Sequence, residues 1–404
     1  GATELITSGL APGDVSNYLD FQRALFSLQL FKENLYMDVV ENTYIKDVFV
    51  KADAVKDNRA DLACEIEVSE EVLATDMTIR GFLTRKDTDR CPVTAEDKHF
   101  LPELVFKQKV KDAKFTLANK VEDVLSWHVE QPYLYEMTFE LVDAEDNVKD
   151  TFSTTFGFRT VEFRADGFYL NDKKLKIRGL NRHQSYPYVG YAMPASMQRK
   201  DADILKYELG CNAVRTSHYP QSHDFITRCD EIGLLVFTEI PGWQHIGNEE
   251  WKKQACENVK EMVIQYRNHP SIILWGVRIN ESNDDHDFYT QTNEIAHLLD
   301  PTRPTGGVRN FKKSELLEDV YTYNDFVHDG SSVGCEPKEK VTSDCSKPYL
   351  VTEYNGHMYP TKSFDCEWHR RDHALRHANV LNSVSKYDDI TGSFGWCMAD
   401  YNTH

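Results

Sequence analysis

The chain has 404 residues, 41% hydrophobic and 27% charged, with a formal net charge of -19. It is long enough for two or more cores, and its acidity excludes the basic surface that sequence-independent phosphate binding requires. Nine dispersed cysteines without a Cys-x-x-Cys pair point to reduced thiols in a cytoplasmic protein, and no apolar run reaches the ~18 residues of a membrane span.

Along the chain three regions differ in rhythm. Residues 1–37 form an unassigned N-terminal segment that begins at Gly1 and lacks a basic start and apolar signal core; within it Leu19–Leu35 has helix-compatible apolar spacing. Residues 38–162 alternate between apolar and polar in short runs, including Asp47–Ala52, Leu62–Val68 and Tyr135–Leu141, separated by turn residues such as Glu145-Asp146-Asn147. Half-buried strands at such intervals predict an immunoglobulin-like β-sandwich. Residues 163–404 predict a (β/α)8 TIM barrel, with strands at Leu175–Ile177, Ala213-Val214, Leu234–Phe237, Ile272–Trp275, Thr305–Val308, Val320–Tyr323, Tyr349–Val351 and Gly392–Trp396. Each run leads into a longer helical pattern, and in the first, over Ala202–Leu209, Ile204, Leu205 and Leu209 share a face. Prolines at Pro270, Pro301 and Pro304 should end helices. Because the chain stops soon after the eighth strand, the barrel is expected to be incomplete at its C-terminal end.

Chemistry in such a barrel sits at the C-terminal ends of the strands. The fourth strand runs out into Asn280-Glu281 and the seventh into Thr352-Glu353. Strands four and seven face each other across the barrel, so the two carboxylates can converge, which is the minimum equipment for glycoside cleavage. A structural ion pair is the plain alternative for either glutamate alone.

Two longer runs carry a resemblance. Asn212-Ala213-Val214-Arg215-Thr216-Ser217-His218-Tyr219-Pro220 continuing to Asp230–Phe237, and Arg267-Asn268-His269-Pro270 through Trp275-Gly276 to Asn280-Glu281, resemble the two signatures of glycoside hydrolase family two. The resemblance extends from about residue 38 to 404 and includes Phe156–Glu162 and Gly179–His183. It implies retaining catalysis with Glu281 as acid/base and Glu353 as nucleophile. It also implies sugar-binding roles for Asn280 at the 2-hydroxyl, for His183 and His218 at the rim, for Tyr323 beside the nucleophile and for Trp396 as a platform under the ring. Trp243 and His245 would line the pocket on the loop after strand three. For His183, His218 and Tyr323, a satisfied buried side chain is the alternative.

Large galactosidases of the family place a metal-binding Glu and His at the positions that read Trp243 and His245 here. No metal and no cofactor are therefore expected. The family's N-terminal jelly roll is expected to be lacking here or reduced to a short segment. The expected function is a retaining exo-β-glycosidase, foremost a β-galactosidase, with β-glucuronidase as the alternative. A non-catalytic sugar-binding or truncated fragment is the reading from another class. The expected partner is a carbohydrate or glycoconjugate, with no nucleic acid and no membrane, and a homo-oligomer remains open.

Overall fold

The computed structural model describes residues 40–328, 332–356, 359 and 361–401; the apolar run Leu19–Leu35 lies outside them. The first domain is a sandwich of two antiparallel sheets. One contains β1 (Ile45–Ala52), β2 (Arg59–Val68) and β5 (Lys114–Glu122) in the order β1-β2-β5. The other contains β3 (Thr78–Arg85), β4 (Glu103–Lys109), β6 (Tyr135–Val142) and β7 (Val148–Phe156) in the order β4-β3-β6-β7. Alternation places Leu62, Cys64, Ile66, Ile79, Leu83, Met137, Phe139 and Leu141 in one core, because successive side chains of a strand leave opposite faces. The sandwich-like strands expected at Asp47–Ala52, Leu62–Val68 and Tyr135–Leu141 all lie within these elements.

A three-stranded antiparallel meander follows: β8 (Val161–Arg164), β9 (Gly167–Leu170) and β10 (Lys173–Leu175). Val161, Phe168 and Leu170 pack with Ile177, Leu235, Phe237 and Phe394, so the meander closes the bottom of the barrel interior. The sandwich is fastened to the same end by buried polar contacts. Trp127 Nε1 donates to the Asp230 carbonyl at 2.8 Å, and Arg159 donates to the carbonyls of Pro270 and Ile272 at 2.8 and 2.9 Å. The opposite end of the barrel is left for chemistry.

The barrel strands are β11 (Ile177–Arg182), β12 (Ala213–Thr216), β13 (Leu235–Glu239), β14 (Ile272–Arg278), β15 (Thr305–Arg309), β16 (Val320–Asn324), β17 (Tyr349–Glu353) and β18 (Ile390–Gly395). They are parallel, and β18 pairs with β11 to close the cylinder. The eight strands expected from the sequence thus form a closed cylinder.

Helices α1 (Ala195–Asp203), α2 (His223–Ile232), α3 (Glu249–Tyr266), α4 (His286–Leu299), α5 (Lys338–Val341) and α6 (Glu367–Lys386) connect the strands. Asn248 caps α3 by accepting from Trp251 N, and α3 and α4 end before Pro270 and Pro301, as proline requires. Two details differ from expectation. The link 310–319 contains no helix and is held instead by Arg309, which donates to Glu318, the Ser314 hydroxyl and the Glu315 carbonyl. After α1 the chain forms a π turn over Ile204–Glu208, where Leu209 N bonds the Ile204 carbonyl. That wider turn leaves Leu205 buried and rotates Leu209 into solvent.

Candidate active site

The strand ends converge on a buried guanidinium. Arg215, on β12, is fully buried. Its Nε and Nη2 donate to the two oxygens of Glu239 at 2.9 and 2.7 Å, and Nη2 also donates to Asn280 Oδ1 at 2.9 Å. Nη1 donates to Asn181 Oδ1 at 2.9 Å and to Glu353 Oε1 at 2.6 Å. All five N–H groups are used. One side chain therefore ties together the ends of β11, β13, β14 and β17.

Glu353 is 5% exposed. Burial pushes its carboxyl above the ordinary value of 4.5, Arg215 and His218 pull against that, and the nearby charge of Glu281 adds to it. At Glu239 burial works in the same direction, but Arg215 and His218 outweigh it and hold the group below its ordinary value. Glu239 is thus an anion that neutralises Arg215, while Glu353 shares only one hydrogen bond of the same cation.

Glu281 sits differently. It is half-buried, in left-handed backbone with φ of 56°, and its amide donates to the Val308 carbonyl at 2.9 Å. Trp243 Nε1 and Gln244 Nε2 donate to its Oε2 at 3.1 and 3.2 Å, and Asn324 Nδ2 donates to its Oε1 at 3.0 Å. The two carboxylates are therefore unequal, one buried on a guanidinium and the other at the rim among neutral donors. Between them, Asn280 Oδ1 is taken by Arg215, whereas its Nδ2 is buried without a protein partner among the described residues. That free donor is available to a bound hydroxyl.

The aromatic wall consists of His183, His218, Trp396 and Tyr401. His218 stacks on Trp396 at 5.3 Å and 10°, and His183 meets the same indole edge-on at 5.4 Å. His218 Nδ1 lies 2.9 Å from Glu239 Oε1. Since Arg215 Nη2 already spends both hydrogens on Glu239 and Asn280, Nδ1 is the donor to Glu239, which leaves Nε2 for a ligand. Burial holds His183 well below the ordinary histidine value, so its ring is neutral.

Glu281, Glu353, Asn280, His183, His218, Trp396 and Trp243 are brought together here. Tyr323 is not. Tyr323 packs with Tyr321, Tyr349, Val351, Val380 and Val384 in the layer between strands and α6, outside the cylinder, and its neighbour Asn324 takes the inward position. Tyr321 shares that outer face by ordinary strand alternation, and the extra residue in the β16–β17 pairing, Thr352, lies on β17. His245 is exposed, and among the described residues no hydrogen bond joins its imidazole to either carboxylate. The expectation for Tyr323 is corrected accordingly, while His245 keeps its place on the loop after β13, its amide bonded to the Trp243 carbonyl at 2.8 Å. Arg215, Glu239, Asn181, Asn324 and Gln244 are not among the expected residues; an arginine and a glutamate at the ends of adjacent strands are the sequence signal for the first two.

Among the described residues, no group of three or more His, Cys, Asp or Glu is arranged to hold a metal ion, and no helix is long and apolar enough to cross a membrane. A (β/α)8 barrel with two unlike carboxylates on strands four and seven defines a class, the barrel of glycoside hydrolase type. The chain belongs to glycoside hydrolase family 2: residues 161–402 match the family's TIM barrel domain and residues 43–159 match Glycosyl hydrolases family 2. A β-galactosidase of Thermoanaerobacterium thermosulfurigenes is 57% identical over 296 residues, covering 73% of this chain and 41% of that protein. A β-galactosidase of Thermoanaerobacter pseudethanolicus is 48% identical over 371 residues, 92% of this chain and 47% of that one. A putative β-glucuronidase of Formosa agariphila is 31% identical over 302 residues, 72% and 35% of the two chains. Among solved structures, a β-D-glucuronidase of Dictyoglomus thermophilum has a TM-score of 0.73 at 22% identity, covering 90% of this chain and 63% of that one; at that identity the likeness speaks for the fold. The chain spans less than half the length of these curated relatives.

Proposed function

We propose that this chain carries the catalytic centre of a retaining exo-β-glycosidase, acting as a β-galactosidase on terminal β-linked sugars. The observation that carries the reading is the unequal wiring of the two carboxylates. Glu353, buried and oriented by Arg215, attacks the anomeric carbon as the glycosidic C–O bond breaks. Glu281 gives its proton to the leaving oxygen. In the second step Glu281 takes a proton from water, the water oxygen bonds the anomeric carbon, and Glu353 leaves. Asn280 Nδ2 and His218 Nε2 bind sugar hydroxyls, and Trp396 with His183 forms the apolar wall against the ring's C–H face. None of these steps uses a metal-held group.

The two β-galactosidase relatives favour galactose as the sugar. The Formosa relative supports β-glucuronidase as the second reading. The dispersed cysteines, none of them bonded to another among the described residues, support a cytoplasmic setting. A panel of nitrophenyl β-glycosides tests the function: galactoside turnover is expected to exceed glucuronide turnover. Binding of sugar without turnover of any substrate would leave only a sugar-binding role.

A further inference from the structure

Gln244 is held in left-handed backbone by contacts outside its own loop. Its φ is 62°, in the left-handed region that non-glycine residues rarely adopt, and Glu281 has the same conformation. The Gln244 amide donates to the Asn280 carbonyl at 2.7 Å, and Trp243 and Asn280 form a parallel bridge, so the loop after β13 is fastened to the end of β14. The result of this fastening is that the Gln244 side chain meets Glu281 Oε2 at 3.2 Å.

The three groups around the Glu281 carboxyl differ in what they can do. The Trp243 indole only donates. Asn324 is locked, because the Thr352 hydroxyl donates to its Oδ1 at 2.9 Å while its Nδ2 donates to Glu281. A carboxylate welcomes both, but a carboxylic acid must place its own proton on an acceptor. Gln244 is the neighbour that can supply one: its side-chain amide has this single hydrogen bond among the described residues, and half a turn about its last torsion exchanges Nε2 for Oε1.

We propose that Gln244 is a positioning residue that serves both protonation states of Glu281 by turning its amide. With the site empty and Glu281 protonated, Gln244 Oε1 accepts the acid's O–H. Substrate brings the glycosidic oxygen, which takes over that hydrogen bond and then the proton, as the electron pair of the C–O bond passes to the leaving oxygen. Glu281 is now a carboxylate, and Gln244 turns to donate through Nε2 until water returns a proton. The inference rests on the acid/base role of Glu281. Among the described residues the charge of Glu353 bears on Glu281, and Glu353 is in turn bonded to Arg215, which holds Glu239 and lies beside His218.

Gln244→Met removes donor and acceptor together at similar size, and the readout is kcat/KM against pH. If the amide serves both states, kcat/KM falls about tenfold, while the basic limb stays within about 0.3 pH unit, because both states lose support alike. A basic limb that rises by about a pH unit would mean that Gln244 only donates to the carboxylate, and would overturn the proposal. An unchanged rate and profile would make it a spectator, which also overturns it. Azide rescue of Glu281→Ala, measured in parallel, keeps the two readings apart: failure of rescue removes the acid/base assignment, whereas rescue with a displaced basic limb in Gln244→Met removes only the turning amide.

Discussion

Arg215 and Glu353 are joined by a 2.6 Å hydrogen bond that links the second barrel strand to the seventh across 138 positions of sequence. The guanidinium holds Glu239 with two of its N–H groups and leaves one for Glu353. In the proposed role of nucleophile, Glu353 must be fixed in place yet retain an electron pair for attack. A single charge-assisted bond to one oxygen achieves this, and a bidentate grip would engage both oxygens.

Replacement of Glu353 by glutamine keeps the shape and removes the attacking charge. Turnover should fall by at least ~10^4-fold for every nitrophenyl glycoside, whatever the leaving group. In the unmodified protein the first-formed product anomer, followed by NMR, should be the β form. Inversion at the anomeric carbon would remove Glu353 from the nucleophile's role.

Glu281→Ala should behave differently. Substrates with poor leaving groups need protonation and should lose ~10^2–10^4-fold, whereas activated aryl glycosides should lose much less. Added azide should restore turnover and yield a β-glycosyl azide, because a small anion can enter from the vacated side. Equal losses across leaving groups, with no azide adduct, would show that the roles are misassigned.

The pH response follows from burial of Glu353. Its folded-state carboxyl is raised above the ordinary 4.5, so the native protein holds this proton where the unfolded chain has released it. The group's contribution to stability is full below the unfolded value and is lost as pH rises through the folded value. Catalysis needs the ionised form, so the acid limb of kcat/KM should lie above 4.5. Arg215→Lys keeps the charge but not the fork, and should move that limb up by about one further pH unit. An acid limb at or below 4.5 in the unmodified protein would show that Arg215 outweighs burial.

Gly276 on β14 is a close-approach glycine. An added Cβ would stand 2.3 Å from Glu239 Cβ and 2.8 Å from Glu239 Cα. Gly276→Ala should therefore push Glu239 from Arg215, cost ~1–3 kcal/mol of stability through overpacking, and lower kcat in the same variant. Calorimetry with steady-state kinetics checks both. Loss of stability with kcat intact would show that the Arg215–Glu239 pair is structural and carries no catalytic weight.

Sequence alone determined the eight barrel strands, the sandwich before them and the placement of Glu281 and Glu353 at strand ends. These depend on local periodicity and on the rule that barrel chemistry sits at one face. Tertiary structure alone decided which neighbours those carboxylates have. Asn181, Arg215, Glu239, Asn280 and Glu353 come from five strands, and no local pattern announces that one guanidinium will satisfy all the others. Tyr323 shows the same limit within one strand. Ordinary alternation puts Tyr321 and Tyr323 on one face of β16 and Asn324 on the other, and which face lines the cylinder is decided by how the sheet closes. Gln244 was invisible for a related reason: its side chain reaches Glu281 because a bridge between two loops holds both residues in left-handed backbone, a conformation set by long-range contacts rather than by either residue's own preference.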